Sequence, residues 1–217
     1  MIKAIIFDLD GTLTDTLDDL MNAVNYVLGK HNYPLRKRDE IRSFVGNGLK
    51  MLMKRSLPVD VGEELLACYT QELIAYYNQY SLEFTMPYPG IVELLKTLKH
   101  EGIQCAVATN KREESAVLIC ERFFPDLLVA VKGDNGCRPL KPDRAIIEEL
   151  LCLMNVSKEE TLYVGDSEAD AFTAQNAQLM SIGVLWGFRT KEQLQSVGMQ
   201  NFAENCEQIH SLVKKYG

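Results

Sequence analysis

The chain lacks the features expected of a membrane protein or of a protein from an oxidising compartment. No stretch approaches the roughly 20 consecutive apolar residues that span a bilayer. The six cysteines include no Cys-x-x-Cys pair, and several lie in apolar stretches where a thiol simply fills space. The segment before Asp8 is too short, and too soon followed by an acidic residue, for a signal peptide. We therefore expect a cytoplasmic protein with no membrane partner.

Blocks of basic residues are also missing. The 23 Lys and Arg residues are outnumbered by 30 Asp and Glu residues, which gives a formal net charge of −7. No Lys/Arg run is long enough to form a basic face against that background, and a net negative surface repels a polyphosphate backbone. We therefore expect no nucleic-acid partner. The 217 residues, 47% of them hydrophobic, suffice for one sizeable core and a smaller accessory domain.

Five short apolar runs predict the buried strands of a parallel sheet, because helical periodicity follows most of them. The predicted strands are residues 3–8, 104–109, 127–132, 161–165 and 180–185, and the predicted helices in this region are 91–101, 113–123, 144–154 and 168–178. This alternation predicts an α/β fold with a doubly wound, Rossmann-like parallel sheet.

The connection between the first two strands is far longer than one crossover helix needs. It contains two apolar stripes at helical spacing, one within residues 17–28 and one within 65–77. Two amphipathic helices must bury these faces, so we expect a small inserted all-helical domain over residues 16–84. Residues 1–15 and 85–217 then form the core domain, and the turn-rich segment 87–90 marks the return to it.

Two carboxylates, Asp8 and Asp10, directly follow the first predicted strand. Ligands of open α/β folds bind at this end of the strands, which favours a functional site. Two other interpretations are a turn chosen for its backbone and a calcium loop. A calcium loop has Gly at its sixth position and Glu at its twelfth, where this chain has Leu13 and Asp19.

Polar residues also follow two later strands. Thr109 and Asn110 end the second strand, and the segment 165–170, Gly-Asp-Ser-Glu-Ala-Asp, ends the fourth. Taken alone, Thr109 could merely cap a helix, the Gly-Asp pair could be an ordinary turn, and Lys141 could be a solvated loop residue. Taken together, they predict carboxylates, a hydroxyl group and a cation at one edge of one sheet.

These residues resemble the four motifs of the haloacid dehalogenase superfamily of phosphatases, which occur here in order over essentially the whole chain. The resemblance implies that the insertion is a helical cap and that the cofactor is Mg²⁺, a hard cation that suits oxygen ligands. It implies that Asp8 is the nucleophile and a metal ligand, that Asp166 is a second ligand, and that Asp10 contributes its backbone carbonyl to the metal. Asp170 would hold a metal-bound water or support the ligands.

The same resemblance implies roles in proton transfer and phosphate binding. Asp10 would protonate the leaving alcohol and then deprotonate the incoming water. The hydroxyl of Thr109, the backbone amide of Asn110 and the ammonium of Lys141 would bind the phosphoryl oxygens. Attack by Asp8 would divide hydrolysis into two easier steps through an aspartyl-phosphate.

A further segment bears on the substrate. Gly46, Asn47 and Gly48 lie between two helical stretches and could turn backbone amides toward an anion, and the alternative interpretation is an ordinary interhelix turn. The segment 45–48 is similar to the Val-Gly-x-Gly segment of phosphoglycolate phosphatases, and residues 183–188, Gly-Val-Leu-Trp-Gly-Phe, match another pattern of that group. The resemblance implies phosphoglycolate or a similarly small acidic phosphoester as substrate.

Several alternatives stay open. A nucleotidase, a pyrophosphatase or a sugar-phosphate phosphatase would share every core residue and differ only in the cap. A non-enzymatic phospho-acceptor or metal switch, similar to response-regulator receivers, would use the same acidic cluster for storage rather than turnover. The sequence is compatible with a monomer or a homodimer, and the expected partner is a small phosphorylated metabolite.

Overall fold

The computed structural model describes residues 1–46 and 48–216, and within it the chain divides into two compact units. The first unit consists of Met1–Thr14 and Pro87–Gly217, and the second is Asp15–Met86. Among the described residues, none of the helices has both the length and the apolar character to cross a bilayer.

The first unit is built on a six-stranded parallel sheet. In chain order its strands are β1 (Ala4–Phe7), β4 (Gln104–Arg112), β5 (Ala130–Asp134), β6 (Thr161–Gly165), β7 (Met180–Val184) and β8 (Asn201–Ala203). Their spatial order is β5-β4-β1-β6-β7-β8, so β1 lies in the middle and pairs with β4 and β6. The strand order reverses beside β1, which is where open α/β sheets bind ligands. The predicted doubly wound α/β fold is confirmed.

Helices cover this sheet: α5 (Ile91–His100), α6 (Glu113–Phe123), α7 (Ala145–Met154), α8 (Glu168–Ala177), α9 (Lys191–Ser196) and α10 (Cys206–Tyr216). The central strand β1 is buried along its whole length, as expected for a parallel strand covered on both faces. On one face Ile147 and Leu150 of α7 pack in a core cluster with Ile6 and Tyr163. Burial of this kind contributes roughly 1.5–3 kcal/mol per large side chain, so the sheet is a rigid base for its edge residues.

The second unit is helical. It contains α1 (Leu17–Lys30), α2 (Arg38–Phe44), α3 (Gly48–Ser56) and α4 (Glu63–Tyr80). The predicted apolar stripes lie on α1 and α4, and these two helices pack on each other. Val24 and Leu28 of α1 and Leu73 of α4 are fully buried. Two short strands, β2 (Thr14–Asp15) and β3 (Met86–Pro87), pair with each other in a separate two-stranded sheet.

The strand bounds differ from the predictions at β4, β5 and β8. Strand β4, predicted to end at residue 109, continues to Arg112. The third predicted strand, 127–132, forms only at Ala130–Asp134, because Leu127 closes a turn on Phe124 and Asp126 takes a positive φ of 61°. The last strand, β8, was not predicted, because three residues with the sequence Asn-Phe-Ala carry no apolar run. The differences at β5 and β8 involve no residue of the predicted site, whereas the longer β4 contains Thr109 and Asn110.

Candidate active site

The carboxyl ends of the three central strands are in register, which brings the motif residues to one edge. Phe7 of β1 pairs with Val107 of β4 and Val164 of β6. The next residue, Asp8, donates its backbone N–H to the carbonyl of Val164 over 2.8 Å. Asp8 and Asp166 therefore follow adjacent strands at the same edge, although more than 150 residues separate them, and Thr109 lies within β4, two residues after the paired Val107.

Three carboxylates meet at this edge. Asp8, Asp166 and Asp170 each offer an oxygen, and these oxygens all lie within 4.8 Å of one another. The residues are 8%, 0% and 0% exposed, respectively. Three carboxyl groups so close and so dry repel one another when ionised, so the fold must offset that cost with fixed donors or a cation.

Asp166 is held by groups from two other segments. Its Oδ1 accepts a hydrogen bond from the hydroxyl of Thr12 over 2.9 Å, and its Oδ2 accepts one from the backbone N–H of Phe188 over 2.7 Å. A Cβ at Gly11 or at Gly187 would overlap this carboxylate. Gly11 also has a φ of +86°, which a side chain would strain. The backbone is therefore shaped around Asp166.

Asp170 is surrounded by donors. Its Oδ2 accepts hydrogen bonds from the backbone N–H and the hydroxyl of Ser167, over 3.0 and 2.6 Å, and from the backbone N–H of Asp166 over 3.2 Å. Its Oδ1 accepts from the Tyr163 hydroxyl over 2.9 Å and from Lys141 Nζ over 2.7 Å. With both oxygens occupied, Asp170 is placed to anchor its neighbours, while Asp8 and Asp166 face fewer donors.

Lys141 is a buried cation in the middle of this group. Its Nζ lies 2.9 Å from Asp8 Oδ1 and 2.7 Å from Asp170 Oδ1, and it also donates to the carbonyl of Ala108 over 3.0 Å. The side chain is only 2% exposed, so the alternative of a solvated loop lysine does not apply. The carboxylates hold the pKa of Lys141 well above its usual value despite burial, and the residue carries its full positive charge.

The backbone of Lys141 is positioned by the side chain of Asn110. Asn110 donates its amide N–H to the Lys141 carbonyl over 3.0 Å and accepts from the Lys141 backbone N–H over 2.7 Å. This two-point pairing ties the loop that carries the lysine to the end of β4. The sequence predicted a phosphate-binding role for the backbone amide of Asn110, and the structure adds this contact of the side chain.

The acidic groups differ in their proton affinity. Burial, reinforced by the charge of Asp170, raises the pKa of Asp8 to about 7. Burial and the neighbouring carboxylates also raise the pKa of Asp166 well above its usual value. Burial alone would raise the pKa of Asp170, but the charge and hydrogen bond of Lys141 and the hydroxyl groups of Ser167 and Tyr163 outweigh it, so the pKa is lowered. The polypeptide thus leaves negative charge at Asp8 and Asp166 only partly compensated.

This donor set fits a divalent cation. The available ligands are carboxylate oxygens, which Mg²⁺ prefers. The side chain of Asp8 is buried, and Lys141 is the cation that contacts its Oδ1, at 2.9 Å. A divalent cation bound here would offset the remaining repulsion among the three carboxylates.

Asp10 lies beside a second lysine rather than among the three clustered carboxylates. Lys111 Nζ is 3.1 Å from both Oδ1 and Oδ2 of Asp10. The Lys111 side chain is 6% exposed and that of Asp10 is 22% exposed. The resemblance assigns the backbone carbonyl of Asp10, not its carboxylate, to the metal, and this position of the carboxylate agrees with such a division.

Thr109 lies at an irregularity in the sheet. The pairing of β4 with β5 shifts register between Ala108 and Arg112, so Thr109 falls within the bulge. Thr109 is 3% exposed, and its hydroxyl accepts from the Lys111 backbone N–H over 3.3 Å. The following helix α6 begins only at Glu113, so Thr109 is not its cap. Bulges of this kind often redirect side chains next to active sites.

The predicted anion-binding segment belongs to the second unit. Gly46 and Gly48 both have positive φ, 125° and 83°, and α3 begins at Gly48. Arg55 donates from Nη1 to the carbonyls of Phe44 and Gly46, over 2.7 and 2.9 Å. Asn47, the third predicted residue, lies outside the described residues. An anion-binding role for this segment stays a prediction.

Several residues of the site were not predicted from the sequence. Thr12 and Gly187 contact Asp166, Tyr163 binds Asp170, and Lys111 binds Asp10. A tyrosine inside a buried strand was a usable signal, because a buried hydroxyl needs a partner. The segment 183–188 was noted only as a pattern, and the structure shows its reason: Trp186 Nε1 donates to the Thr12 carbonyl over 3.1 Å.

Comparisons with known proteins show similar proteins over nearly the whole chain. The model of the haloacid dehalogenase-like hydrolase family matches residues 5–184. A phosphoglycolate phosphatase of Psychrobacter arcticus is 32% identical to the chain over 226 residues, which cover 99% of this chain and 97% of that protein. A phosphoglycolate phosphatase of Vibrio parahaemolyticus is 30% identical, with coverages of 98% and 96%.

Solved structures show the same fold. A crystal structure from Lactobacillus delbrueckii subsp. bulgaricus superposes with a TM-score of 0.91 at 28% identity, covering 97% of this chain and 98% of that one. A haloacid dehalogenase-like hydrolase from Streptococcus pneumoniae gives 0.86 at 22% identity, with coverages of 97% and 98%, and shows the fold alone. From the family match over most of its length, the chain belongs to the haloacid dehalogenase-like hydrolase family.

Proposed function

We propose that this phosphatase is a Mg²⁺-dependent phosphomonoester hydrolase whose substrate is phosphoglycolate and whose nucleophile is Asp8. The observation that carries the proposal is the buried cluster of Asp8, Asp166 and Asp170 around the ammonium of Lys141. Asp8 is buried beside the two other carboxylates, and the ammonium of Lys141 at 2.9 Å fixes its position, as a carboxylate nucleophile requires.

Asp8 and Asp166, with the backbone carbonyl of Asp10, would hold the ion, and Asp170 supports them. When bound, Mg²⁺ neutralises charge on the phosphoryl group, so that an anionic carboxylate can approach phosphorus. The partly compensated charge at Asp8 and Asp166 supports this assignment, because a cation removes the repulsion that raises their pKa values.

In the first step, a carboxylate oxygen of Asp8 forms a bond to phosphorus as the bond from phosphorus to the ester oxygen breaks. Asp10 gives its proton to the departing oxygen, which leaves as a neutral alcohol. Lys141 Nζ, the Thr109 hydroxyl and the Asn110 backbone amide offer donors for the equatorial phosphoryl oxygens, where charge is concentrated. The product of this step is an aspartyl-phosphate on Asp8.

In the second step, water attacks the phosphorus of the aspartyl-phosphate. Asp10, now a carboxylate, takes a proton from the water as the new bond from oxygen to phosphorus forms and the bond to Asp8 breaks. Inorganic phosphate leaves, and both aspartates return to their starting forms. The ion pair with Lys141 fixes the direction of Asp8 through both steps, at 2.9 Å.

The substrate assignment rests on the relatives. Two proteins similar to this chain over nearly their whole length are phosphoglycolate phosphatases. The six free cysteines, none of them in a disulfide, support a reducing compartment such as the cytoplasm, where a small phosphorylated metabolite is available.

A substrate panel tests this proposal. Phosphate release is measured with Mg²⁺ for phosphoglycolate, a nucleoside monophosphate, a sugar phosphate and pyrophosphate at equal concentration. We expect the highest kcat/KM for phosphoglycolate and loss of activity when EDTA removes the metal. A higher kcat/KM for another member of the panel would make that compound the substrate instead of phosphoglycolate. Activity that survives EDTA would contradict the dependence on Mg²⁺.

The alternative of a non-enzymatic phospho-acceptor predicts a different lifetime of the phosphorylated protein. Asp10, two residues from Asp8, is placed to activate water, so we expect the aspartyl-phosphate to turn over in seconds or less. A phosphorylated form that persists for hours after mixing with substrate would favour the switch.

A further inference from the structure

The contact between Lys111 and Asp10 has no role in the reaction described above. Lys111 approaches both carboxylate oxygens of Asp10 at equal distances of 3.1 Å. Its side chain is 6% exposed, so the ammonium has lost nearly all of its hydration. Burying a lysine is costly unless a partner offsets the lost hydration, and the carboxylate of Asp10 is such a partner.

The main chain of Lys111 is also fixed. It belongs to the bulge between Ala108 and Arg112, opposite Gly133 of β5. A Cβ on Gly133 would lie 2.5 Å from the Lys111 carbonyl oxygen and 2.9 Å from the Glu113 backbone nitrogen, so the two strands are in close contact there. Gly133 is itself held, because its N–H donates to Glu113 Oε2 over 2.9 Å. The base of the Lys111 side chain thus has little freedom to move.

Asp10, in contrast, lies in the turn that follows β1. Its carboxylate is more exposed than any of the three clustered carboxylates, at 22% of its side chain. A carboxyl group that exchanges protons with substrate and water must be held within a few tenths of an ångström of its productive position, because misplacement by 1 Å can cost about 100-fold in rate. The buried cation next to it is Lys111, whose main chain is fixed in the sheet.

We propose that Lys111 is a positioning residue, whose ammonium orients the carboxyl group of Asp10 for both proton transfers. This inference rests on the proposed function, since it takes the role of Asp10 from there. Lys111 itself forms and breaks no covalent bond. In the first step the proton of Asp10 passes to the leaving oxygen, and in the second step a proton of water passes to Asp10, with Lys111 fixing the geometry in each.

The test uses two substrates that differ in their need for a proton. The alkoxide of phosphoglycolate leaves poorly without a proton, whereas the nitrophenolate of p-nitrophenyl phosphate leaves without one. We expect Lys111→Met to lower kcat/KM for phosphoglycolate by about 10- to 100-fold, since general acid catalysis contributes about 10²- to 10⁴-fold. For p-nitrophenyl phosphate kcat/KM should change less than about threefold, while kcat falls, because breakdown of the aspartyl-phosphate is slowed.

A double-mutant cycle with Asp10→Asn then separates positioning from direct binding of the substrate. If Lys111 acts through Asp10, Lys111→Met has no further effect on phosphoglycolate hydrolysis in the Asp10→Asn background. If Lys111 instead bound the substrate carboxylate, the two losses would multiply, and the inference would be overturned. Lys111→Arg, which keeps the charge and the contact, should recover part of the lost rate.

Lys132→Met is the matched control. Lys132 lies on the neighbouring strand β5 and pairs with Glu149 over 2.7 Å, and neither residue has a role in the proposed reaction. Lys132→Met should leave unchanged the ratio of kcat/KM for phosphoglycolate to kcat/KM for p-nitrophenyl phosphate. Equal loss on both substrates in Lys111→Met would overturn the inference alone, because Asp8 chemistry would still operate. Absence of hydrolysis by the unmodified chain would overturn the proposed function and this inference together.

Discussion

Each unit contains a buried carboxylate close to the start of the chain, and the two are treated in opposite ways. Asp19 in the helical unit is 4% exposed, and its oxygens accept hydrogen bonds from the backbone N–H groups of Phe84 and Thr85 and from the Thr85 hydroxyl. Asp8 in the sheet unit is 8% exposed, and its Oδ1 accepts none. One carboxylate is satisfied by neutral donors, and the other lies among charges.

This difference separates stability from chemistry. A buried carboxylate with fixed donors ties distant segments together, and its removal leaves those donors without partners. A buried carboxylate next to two others stores repulsion, which a cation and a substrate can relieve. We therefore expect substitutions at Asp19 to lower the free energy of unfolding and substitutions at Asp8 to lower the rate of hydrolysis.

The largest expected effect is that of Asp8→Asn on activity. The amide cannot attack phosphorus, so kcat should fall by roughly 10⁴-fold or more, as for other enzymes without their nucleophile. The fold should remain, because the substitution removes a repulsive charge from the cluster rather than a satisfied partner. Phosphate release and circular dichroism measure the two properties, and Asp143→Asn at an exposed loop position serves as the control. Wild-type activity in Asp8→Asn would remove the nucleophile assignment.

The second effect is that of Asp19→Ala on stability. Losing the acceptor of the Phe84 and Thr85 donors should lower the free energy of unfolding by about 2–4 kcal/mol. Urea unfolding followed by fluorescence measures the change. Asp18→Ala is the control, because Asp18 is 43% exposed and pairs with Arg38 at the surface. A similar fall in the free energy of unfolding in both variants would contradict the expectation that the buried Asp19 stabilises the fold more than the exposed Asp18.

The third effect concerns the dependence of metal binding on pH. The raised pKa of Asp8, about 7, means that the folded metal-free protein binds a proton more tightly than the unfolded chain. The stabilising contribution of this protonated carboxyl group is therefore lost as pH rises from the ordinary value of 3.8 through about 7. The pKa of Asp166 is also raised, so its protonated form contributes stability that is lost as pH rises in the same way. Mg²⁺ must displace these protons, so it should bind more tightly at pH 8 than at pH 5.5.

Thermal unfolding with and without Mg²⁺ measures this. At pH 8 and 100 times the dissociation constant, the ion should raise Tm by about 5–10 °C. At pH 5.5 the same concentration should raise it less, and in Asp8→Asn the rise should shrink at both pH values. A larger rise in Tm at pH 5.5 than at pH 8 would contradict the expectation that protons compete with Mg²⁺ at Asp8 and Asp166.

The smallest effect is expected at a surface ion pair of the helical unit. Lys50 and Glu63 lie 2.7 Å apart, but their side chains are 55% and 71% exposed. Solvent screens such a pair, so Glu63→Gln should leave Tm unchanged within error. A clear fall in Tm would show that an exposed ion pair stabilises this protein, so that exposure alone does not predict how much a charged residue contributes to stability.

The sequence predicted those parts of the molecule that depend on local pattern. The central strand and the acidic residues after it are adjacent in the chain, so Asp8 and Asp10 could be identified directly. The apolar runs of β4 and β6 predicted strands, and the polar residues after these runs made Thr109 and Asp166 candidates, although β4 continues to Arg112. The strand at 130–134 was placed too early, because a turn at Asp126 overrides the apolar character of residues 127–129.

Partners distant in the chain could not be predicted in this way. Nothing in the local sequence of Asn110 indicates that its side chain pairs with the backbone of Lys141, 31 residues later. The contact of Lys111 with Asp10 spans 101 residues, and that of Thr12 with Asp166 spans 154. These contacts depend on strand order and on loop conformation, which no single segment encodes.

By itself, the sequence determined the fold class, the edge of the sheet at which chemistry takes place, and the types of group gathered there. It could do so because strand periodicity and the position of polar residues after a strand are local properties. The tertiary structure alone decided which carboxylate is anchored by donors, which keeps an oxygen without a hydrogen bond, and which lysine faces which acid. The reason is that burial and hydrogen bonding are properties of the packed molecule, and they set the charge state and direction of each side chain.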